Sequence, residues 1–409
     1  MRARWLCVAA LAAVLPAVTG CGGVGISGAS EATGNQLAIY SSLPLQGPSA
    51  PISQEIVNGE RLALSQAGGH VGPLKVGYVS LDDANPKTGR LDPGATSTNA
   101  KTAAQDTSTI AYLGELGSEA TAVSLPLINA AGILQLSPGS PYIGLTSSLD
   151  AGQDEPERFY PSGKRNFGRL ALGDRAQAIA QAKLARALAV RKLFVLDDQN
   201  PFEAPLAQLV ATEAERMGVS IAAHDSIVVT PGSVFAGEVE KITRSGAQAV
   251  FFAGGGGAGT VTLWRALHRA DPHLLLLGSS AMTGDAFASS IGPAGDSTYL
   301  TTPVLAPSEY PPAAKRVLDD CRRQFGGQPS AYALYGFEAM SAVLDAIRRA
   351  GSHGNDRQSV IERFFATAGR DSVLGRYSMQ PDGETTLSRY GVDRIVGGRA
   401  QFYRAFGVR

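Results

Sequence analysis

From residue 37 onwards, short runs of aliphatic and β-branched residues alternate with longer segments whose apolar residues recur at helical spacing. The segment from Ile52 to Ala67 places its apolar residues on one helical face, and Asp92-Pro93 is a typical helix start. Such alternation is typical of βα units that build a parallel sheet. We therefore predict a first α/β lobe with these strands: Leu37 to Ser41, Leu74 to Ser80, Thr109 to Leu113 and Ile133 to Leu136.

A segment rich in glycine, proline and charge, Asp150 to Arg165, interrupts this alternation. The same pattern then resumes at similar length, which predicts a second α/β lobe. Its predicted helices are Asp174 to Ala189, Phe202 to Met217, Phe235 to Ser245 and Gly259 to Ala270. Its predicted strands are Lys192 to Leu196, a strand region between Val219 and Val229, Gln248 to Ala253 and Leu274 to Gly278.

The last hundred residues have a different pattern. A proline-rich segment, Pro303 to Pro312, precedes three helix-like stretches with no clear strand between them, and strand-like runs follow. Such a tail is a poor match to a third domain, so we expect it to complete the two lobes and to cross between them at a hinge. The helix-like stretches are Ala313 to Phe325, Ala331 to Ala350 and Arg357 to Ala368, and the strand-like runs are Ser372 to Tyr377, Tyr390 to Val396 and Ala400 to Phe406.

The N-terminus has the pattern of an export signal. Arg2 and Arg4 precede an apolar run from Trp5 to Val18, which is shorter than the roughly 20 residues of a membrane-spanning helix. Small residues and Cys21 follow, and Val18 to Cys21 resembles the lipobox of bacterial lipoproteins, in which the cysteine is lipidated. The predictions are a signal peptide over residues 1–20, a lipid anchor on Cys21 and a flexible tether over 21–36. The alternative is an ordinary signal peptide with an incidental cysteine.

Composition narrows the classes of partner. Lys plus Arg (36) equals Asp plus Glu (36), and no basic stripe runs along the chain, so a nucleic-acid partner is not expected. With Cys7 in the predicted signal and Cys21 predicted to be lipidated, Cys321 has no partner for an internal disulfide, and we expect it to pack within a helix.

Three further patterns in the sequence bear on whether the chain has catalytic, cofactor or metal chemistry. The run from Gly254 to Gly259 fits G-x-G-x-x-G between a strand and a helix, but the next strand ends in Ser279-Ser280 where a dinucleotide site needs an acid. We interpret the glycines as a tight turn or a close approach to a ligand. His268 and His273 flank a helix end and lack metal-ligand spacing. Signatures of common hydrolases, NTPases and metalloproteases are absent from the sequence, so no enzyme, cofactor or metal is expected.

The order and spacing of several short motifs resemble the type I periplasmic binding proteins of the branched-chain amino acid class. That resemblance implies two Rossmann-like lobes with parallel central sheets joined by a three-segment hinge. It places lobe 1 in residues 37–165 and 305–372, and lobe 2 in residues 166–304 and 373–409. The motifs are Leu43 to Pro48, Asn58-Gly59, Leu81 to Pro86, Gly114 to Ser118 with Thr121, Ala131 to Ile133, Leu136 to Gly139, and Tyr332 to Ala339 with Tyr335-Gly336.

The resemblance also implies a ligand site in the loops that follow the strands. Ser118 matches the serine that holds a ligand carboxylate, whereas Pro141 stands where the family has a threonine and can supply neither donor. Ser280 stands where the family has the carboxylate that pairs with the ligand ammonium, so a plain branched-chain amino acid is disfavoured relative to an amide or an organic or aromatic acid. The candidate ligand-binding residues are Ser118, Gly139, Ser140, Tyr142, Phe202, Gly255 and Ser280.

The function that this resemblance implies is an extracytoplasmic receptor of an ABC importer. It would be a monomer, anchored by lipid to the outer face of the cytoplasmic membrane, that closes on a small polar solute and passes it to a permease. A sensor or signalling receptor with the same fold is the first alternative, and neighbouring genes would distinguish the two. An exported enzyme is the second alternative, and turnover of a bound compound would establish it.

Overall fold

The protein is described by a computed structural model that covers residues 31–32 and 34–409. The predicted signal peptide, Cys21 and most of the predicted tether lie outside the described residues. Within the described part of the chain, no helix combines the length and the apolar character needed to span a bilayer.

The first lobe is built on a six-stranded sheet in the order β2-β3-β1-β4-β5-β6. All neighbouring pairs are parallel except β2 with β3. Its strands are β1 (Gln36–Leu43), β2 (His70–Val71), β3 (Leu74–Asp82), β4 (Thr109–Leu113), β5 (Leu134–Ser137) and β6 (Phe167–Arg169). The helices along this part of the chain are α1 (Ala50–Gln66), α2 (Pro93–Gln105) and α3 (Ser118–Ala130). Asp92 caps α2 by accepting hydrogen bonds from the amides of Gly94 and Ala95, as its position before Pro93 predicted.

The second lobe is built on a seven-stranded sheet in the order β15-β14-β11-β10-β9-β7-β8. Its β7 to β11 core is parallel, and β14 and β15 extend it as antiparallel strands. The strands are β7 (Lys192–Asp197), β8 (Ser220–Ser226), β9 (Ala249–Ala253), β10 (Leu275–Gly278), β11 (Thr298–Thr302), β14 (Arg389–Val396) and β15 (Arg399–Gly407). The helices are α4 (Asp174–Ala187), α5 (Ala204–Arg216), α6 (Ala236–Ser245), α7 (Ala258–Ala270) and α8 (Asp285–Ser290).

The tail completes both lobes, as the sequence predicted. Three helices and a hairpin return to lobe 1, and β14 and β15 return to the sheet of lobe 2. Cys321 is buried at 2% exposure on one of these helices, where it packs in the lobe 1 core. The returning elements of lobe 1 are α9 (Pro312–Phe325), α10 (Tyr332–Ala350), α11 (Arg357–Phe365), β12 (Arg370–Ser372) and β13 (Gly375–Tyr377).

Helices α1 and α10 pack face to face in lobe 1 and touch through glycine. A Cβ atom on Gly59 would lie 2.0 Å from the carbonyl oxygen of Ala333, and one on Gly336 would lie 1.9 Å from that of Ile56. Neither helix could approach the other this closely with a larger residue at these positions. The glycines of the Asn58-Gly59 and Tyr335-Gly336 motifs therefore serve helix packing.

Two of the predicted lobe boundaries shift. Strand β6 pairs with β5 in the lobe 1 sheet, so lobe 1 continues past residue 165 to about residue 170. Val373, Leu374 and Tyr377 pack in the lobe 1 core, so this lobe also continues past residue 372, to about residue 386. Pattern reading missed both shifts because β6 has only three residues and the β12–β13 hairpin looks like a single run. In the described chain, the crossings between lobes lie near residues 170–174, 302–305 and 386–389.

A buried carboxyl group in lobe 1 predicts how stability depends on pH. Glu60 is fully buried and accepts a hydrogen bond from the Tyr78 hydroxyl at 2.5 Å, and burial raises the pKa of Glu60 to about 8. The folded protein therefore keeps a proton that the unfolded chain releases above its ordinary pKa of 4.5. This contribution to stability is complete below pH 4.5 and is lost as pH rises towards 8.

We expect the free energy of unfolding of Glu60→Gln to fall less steeply between pH 5 and pH 8.5 than that of the unmodified protein. The amide oxygen of glutamine can still accept the Tyr78 hydroxyl, so packing changes little. Urea denaturation across this pH range measures the slope, and Glu215→Gln, on the exposed face of α5, is the matched control. Equal slopes in Glu60→Gln and in the unmodified protein would contradict the assignment.

Candidate functional site

The loops that follow the parallel strands of the two lobes meet where the lobes face each other, and this region between the lobes is called the cleft. Asn200, after β7, donates from Nδ2 to the Oε1 atom of Glu119 at 2.5 Å, and Glu119 is the second residue of α3 in the other lobe. The rings of Tyr142 and Phe202 meet edge to face with centroids 5.1 Å apart. Tyr142 belongs to lobe 1 and Phe202 to lobe 2, so two of the predicted site residues touch across the cleft.

Ser118 forms one corner of this cleft. It is the first residue of α3, is 9% exposed, and its Oγ accepts a hydrogen bond from the amide of Tyr142 at 3.0 Å. The first turn of a helix presents amide groups without intrahelical acceptors, and the helix dipole makes this end electropositive. The corner therefore suits a carboxylate or another hydrogen-bond acceptor.

The loop after β5 contains two predicted ligand-binding residues, Gly139 and Ser140, and they have different surroundings. Ser140 is fully buried, with φ at +52°, and its Oγ contacts Thr121 Oγ1 at 2.6 Å and the carbonyl oxygen of Glu115 at 3.0 Å. Its hydroxyl therefore forms hydrogen bonds within the protein and holds the loop in place. Gly139 lies against Leu116, whose carbonyl oxygen would be 2.3 Å from a Cβ at position 139. Contact of Gly139 and Ser140 with a ligand remains a prediction.

Tyr142 is fixed on this loop by a second bond. Its hydroxyl donates to Oε2 of Glu155 at 2.5 Å, and the residue is 3% exposed. Burial and the Glu155 carboxylate raise the pKa of Tyr142 well above its ordinary value. Tyr142 therefore offers the cleft an aromatic wall and keeps its hydroxyl protonated.

Asp198 organises the lobe 2 side of the cleft. Its Oδ1 accepts from the amide of Asn200 at 3.1 Å, and its Oδ2 accepts from the amide of Gly255 at 3.2 Å. A Cβ on Gly254 would lie 2.7 Å from that same Oδ2 atom, so glycine is needed where the two loops meet. The glycine run forms the tight turn from β9 into α7, one of the two roles that the sequence analysis favoured. Gly255 itself is exposed at this turn.

Ser280 lies at the foot of the cleft beside α4. Its amide donates to Oε1 of Gln177 at 2.7 Å. The preceding Ser279 donates from Oγ to Oε2 of Glu203 at 3.1 Å. The loop after β10 thus connects the start of α4 with the start of α5.

Sequence reasoning missed Glu203 and Asp174. Glu203 is the N-cap residue of α5, and its pKa is raised to about 8 by burial and by the negative charge of Asp174. Asp174 begins α4, is 3% exposed and accepts from the amide of Ile143 at 3.2 Å; burial raises its pKa to about 7. Glu203 directly follows Phe202 in a loop after a strand. This position is the one sequence feature that could have identified Glu203 as a candidate site residue. Among the described residues, no group of three or more His, Cys, Asp or Glu side chains could hold a metal ion.

Arg169 links the cleft to the hinge. Its guanidinium is 1% exposed and donates to the carbonyl oxygens of Ser140 at 2.7 Å and Tyr142 at 2.8 Å. It also forms an ion pair with Glu384, which precedes the last crossing between the lobes, and donates to Oγ1 of Thr146 at 3.0 Å. One buried side chain therefore holds both the loop after β5 and the segment that precedes the last crossing between the lobes.

Comparison with known proteins agrees with this architecture. A curated relative from Brucella suis, named Leu/Ile/Val-binding protein homolog 1, is 24% identical over 351 residues, covering 85% of this chain and 87% of the relative. A leucine binding protein from Thermotoga maritima superposes with a TM-score of 0.75 at 18% identity, covering 91% of this chain and 99% of that one. A solute binding protein of an ABC transporter from R. palustris, solved with benzoate, superposes with a TM-score of 0.70 at 15% identity, covering 91% and 97%.

The family itself is assigned by a broader match. A family model described as Periplasmic binding protein matches residues 41–398. The three proteins above are all named as binding proteins. The match along most of the chain and the two lobes of parallel sheet confirm the resemblance: this chain belongs to the periplasmic binding protein family, with the type I fold.

Proposed function

We propose that this protein is an extracytoplasmic receptor that binds a small polar solute between its lobes and delivers it to an ABC transporter permease. The observation that carries the proposal is the pair of contacts across the cleft, Glu119 with Asn200 and Tyr142 with Phe202. These contacts lie beside Ser118 at the start of α3, where a ligand acceptor group would be held.

Closure supplies the mechanism. Open and closed arrangements of such lobes differ by a few kcal/mol, so a ligand that contacts both lobes shifts the population towards the closed form. The solute would contact Ser118 and Tyr142 of lobe 1. From lobe 2 it would contact Phe202 and the turn at Gly255. A permease can then distinguish a loaded receptor from an empty one by shape.

The location and ligand class are part of the same proposal. The receptor would be a monomer, held at the outer face of the cytoplasmic membrane by lipid on Cys21. The relatives include a leucine binding protein and a protein solved with benzoate, so amino acids, amides and small organic acids are the candidates. A thermal-shift screen of residues 37–409 against these compounds tests the function, because a ligand at 100 times its Kd adds about 2.7 kcal/mol to stability.

Ser118→Ala is expected to weaken any hit from this screen about tenfold or more. The substitution removes a hydroxyl that can donate to a charged acceptor group, and such a bond contributes about 1.5–3 kcal/mol. Isothermal titration calorimetry measures the loss, and Ser65→Ala, at an exposed position of α1, is the matched control. Unchanged affinity in Ser118→Ala would remove this residue from the site.

A further inference from the structure

Two carboxyl groups in lobe 1 are buried without cations. Asp83 follows β3 and Glu115 follows β4, and neither residue is exposed. Both oxygens of Asp83 and the Oε2 atom of Glu115 lack a hydrogen-bond donor among the described residues, and Oε1 of Glu115 accepts the Tyr112 hydroxyl at 2.7 Å. In the same part of the chain, no Lys, Arg or His nitrogen lies within 4.0 Å of either carboxyl group. Two buried carboxylates without donors or a counter-charge would be very unfavourable.

The sheet of lobe 1 brings these two acids together. Strands β3 and β4 lie on either side of β1, and both acids follow the ends of their strands. The amide of Asp83 donates to the carbonyl oxygen of Leu43, the last residue of β1, at 3.3 Å. A Cβ on Gly114, which precedes Glu115, would lie 2.6 Å from the carbonyl oxygen of Ser42. The two acids thus lie beside consecutive residues of β1, and the charge of Asp83 acts on Glu115.

The groups around the pair supply no positive charge. The other titratable groups that face it are Asp82, at the end of β3, and Tyr112, on β4. Burial raises the pKa of both carboxyl groups, and the negative charge of Asp83 raises the pKa of Glu115 further. Two acids that share a buried place cannot both ionise. The adjoining elements contribute neutral groups, Ser42 from β1, Asn99 from α2 and Thr121 from α3, and the charged residues of these two helices, Lys101 and Glu119, are exposed.

The backbone of Glu115 connects the pair to the cleft. Its carbonyl oxygen accepts the hydroxyl of Ser137 at 2.6 Å and that of Ser140 at 3.0 Å. Three residues later, Ser118 begins α3 and accepts the amide of Tyr142. A change of charge at the Glu115 side chain therefore acts on the loop from β4 to α3 and on the loop after β5.

We propose that Asp83 and Glu115 share a single proton, and that this proton holds the loop from β4 to α3 in the position that forms the Ser118 corner of the cleft. At alkaline pH the proton leaves, the two carboxylates repel each other, and the loop loosens. The effect on solute binding rests on the proposed receptor function, whereas the shared proton does not.

The shared proton gives a signed dependence of stability on pH. The unfolded chain releases protons from these acids at their ordinary pKa values of 3.8 and 4.5, whereas the folded protein keeps one of them to higher pH. Stability therefore falls as pH rises above these values, because the folded state binds more protons than the unfolded state. The slope of the free energy of unfolding against pH counts the protons involved.

The test is a double-mutant cycle on this slope, measured by urea denaturation between pH 5 and pH 8.5. Every chain also carries Glu60→Gln, so that the other buried acid of lobe 1 does not contribute. Asp83→Asn and Glu115→Gln each supply an amide donor in place of the shared proton. Each should reduce the number of protons by about one, and the double variant should reduce it no further. Glu215→Gln, at an exposed position of α5, should leave the slope unchanged.

Hydrogen–deuterium exchange tests the connection to the cleft. The amide of Ser140 donates to the carbonyl oxygen of Leu116 at 2.9 Å, and the amide of Tyr142 donates to Ser118. Relative to intrinsic exchange rates, the protection of these two amides should fall about tenfold or more between pH 6 and pH 9. It should stay constant in Glu115→Gln, and in Asp83→Asn if the first variant does not fold.

Three results would overturn the inference. Reductions that add in the double variant would show that each acid holds its own proton, and unchanged slopes in both single variants would show that both acids are ionised. A melting temperature raised by Ca²⁺ or Mg²⁺, but not in the double variant, would show that the pair binds a cation instead. None of these measurements uses a solute, so their failure leaves the proposed receptor function standing.

Discussion

Replacing Gly336 with alanine is expected to destabilise lobe 1 by about 2 kcal/mol. The new Cβ would lie 1.9 Å from the carbonyl oxygen of Ile56, well inside van der Waals contact, so α1 and α10 must move apart. Overpacking costs about 1–3 kcal/mol, and a contact this short belongs at the upper end; subtracting the roughly 1 kcal/mol that alanine gains over glycine inside a helix leaves about 2 kcal/mol. Gly59→Ala should behave alike, because its Cβ would meet the carbonyl oxygen of Ala333.

Urea denaturation measures this loss, and Gly237→Ala is the matched control. Gly237 also lies within a helix, α6, but a Cβ there would meet no atom within 4 Å. That variant should keep or slightly raise the free energy of unfolding. If Gly336→Ala were as stable as Gly237→Ala, the close helix contact would not exist in solution.

Arg169→Met is expected to cost about 3–5 kcal/mol and to weaken ligand binding as well. Removing the guanidinium takes the side-chain donor from the carbonyl oxygen of Ser140 and the cationic partner from Glu384, which keeps only the Thr146 hydroxyl among the described residues. The carbonyl oxygen of Tyr142 keeps the amide of Leu145 as a donor. Breaking one side of a buried ion pair is far more damaging than replacing both partners, because the remaining charge is left without compensation. Binding should suffer because the loop that carries Tyr142 loses its attachment to the hinge.

The control is an exposed arginine in the same region. Arg175 pairs with Asp150 at 3.0 Å, with both side chains about half exposed, so Arg175→Met should change stability by no more than about 1 kcal/mol. Urea denaturation gives the stability and calorimetry gives the affinity. A stable Arg169→Met variant with unchanged ligand affinity would show that this residue does not connect the hinge to the ligand loop.

The regular elements could largely be predicted from the sequence because their apolar patterns are long and periodic. The four predicted strands of lobe 1 and the helices α4 to α7 match observed elements to within a few residues. Strand β2 has only two residues, and strand β11 was missed because its apolar run is only Tyr299 and Leu300. The run from Ser372 to Tyr377 was wrongly taken as one strand, since the chain turns at Val373 and Leu374 and Gly375 pairs back with Ser372.

The candidate site was harder to predict, because its chemistry depends on packing between distant segments. Ser118, Tyr142 and Phe202 were predicted through the resemblance to the family, and all three lie where the two lobes meet. The hydroxyl of Ser140 turns inward at a positive φ, which the sequence does not reveal. Glu203 looked like an ordinary helix start, and only the folded chain brings Asp174 and Ser279 beside it.

The central claim is that the two lobes close on a solute, and small-angle X-ray scattering with and without the best ligand from the screen tests it most directly. The account predicts a smaller radius of gyration when the ligand saturates the protein, because closure brings the lobes together. An unchanged radius of gyration, with saturation confirmed by calorimetry, would contradict it.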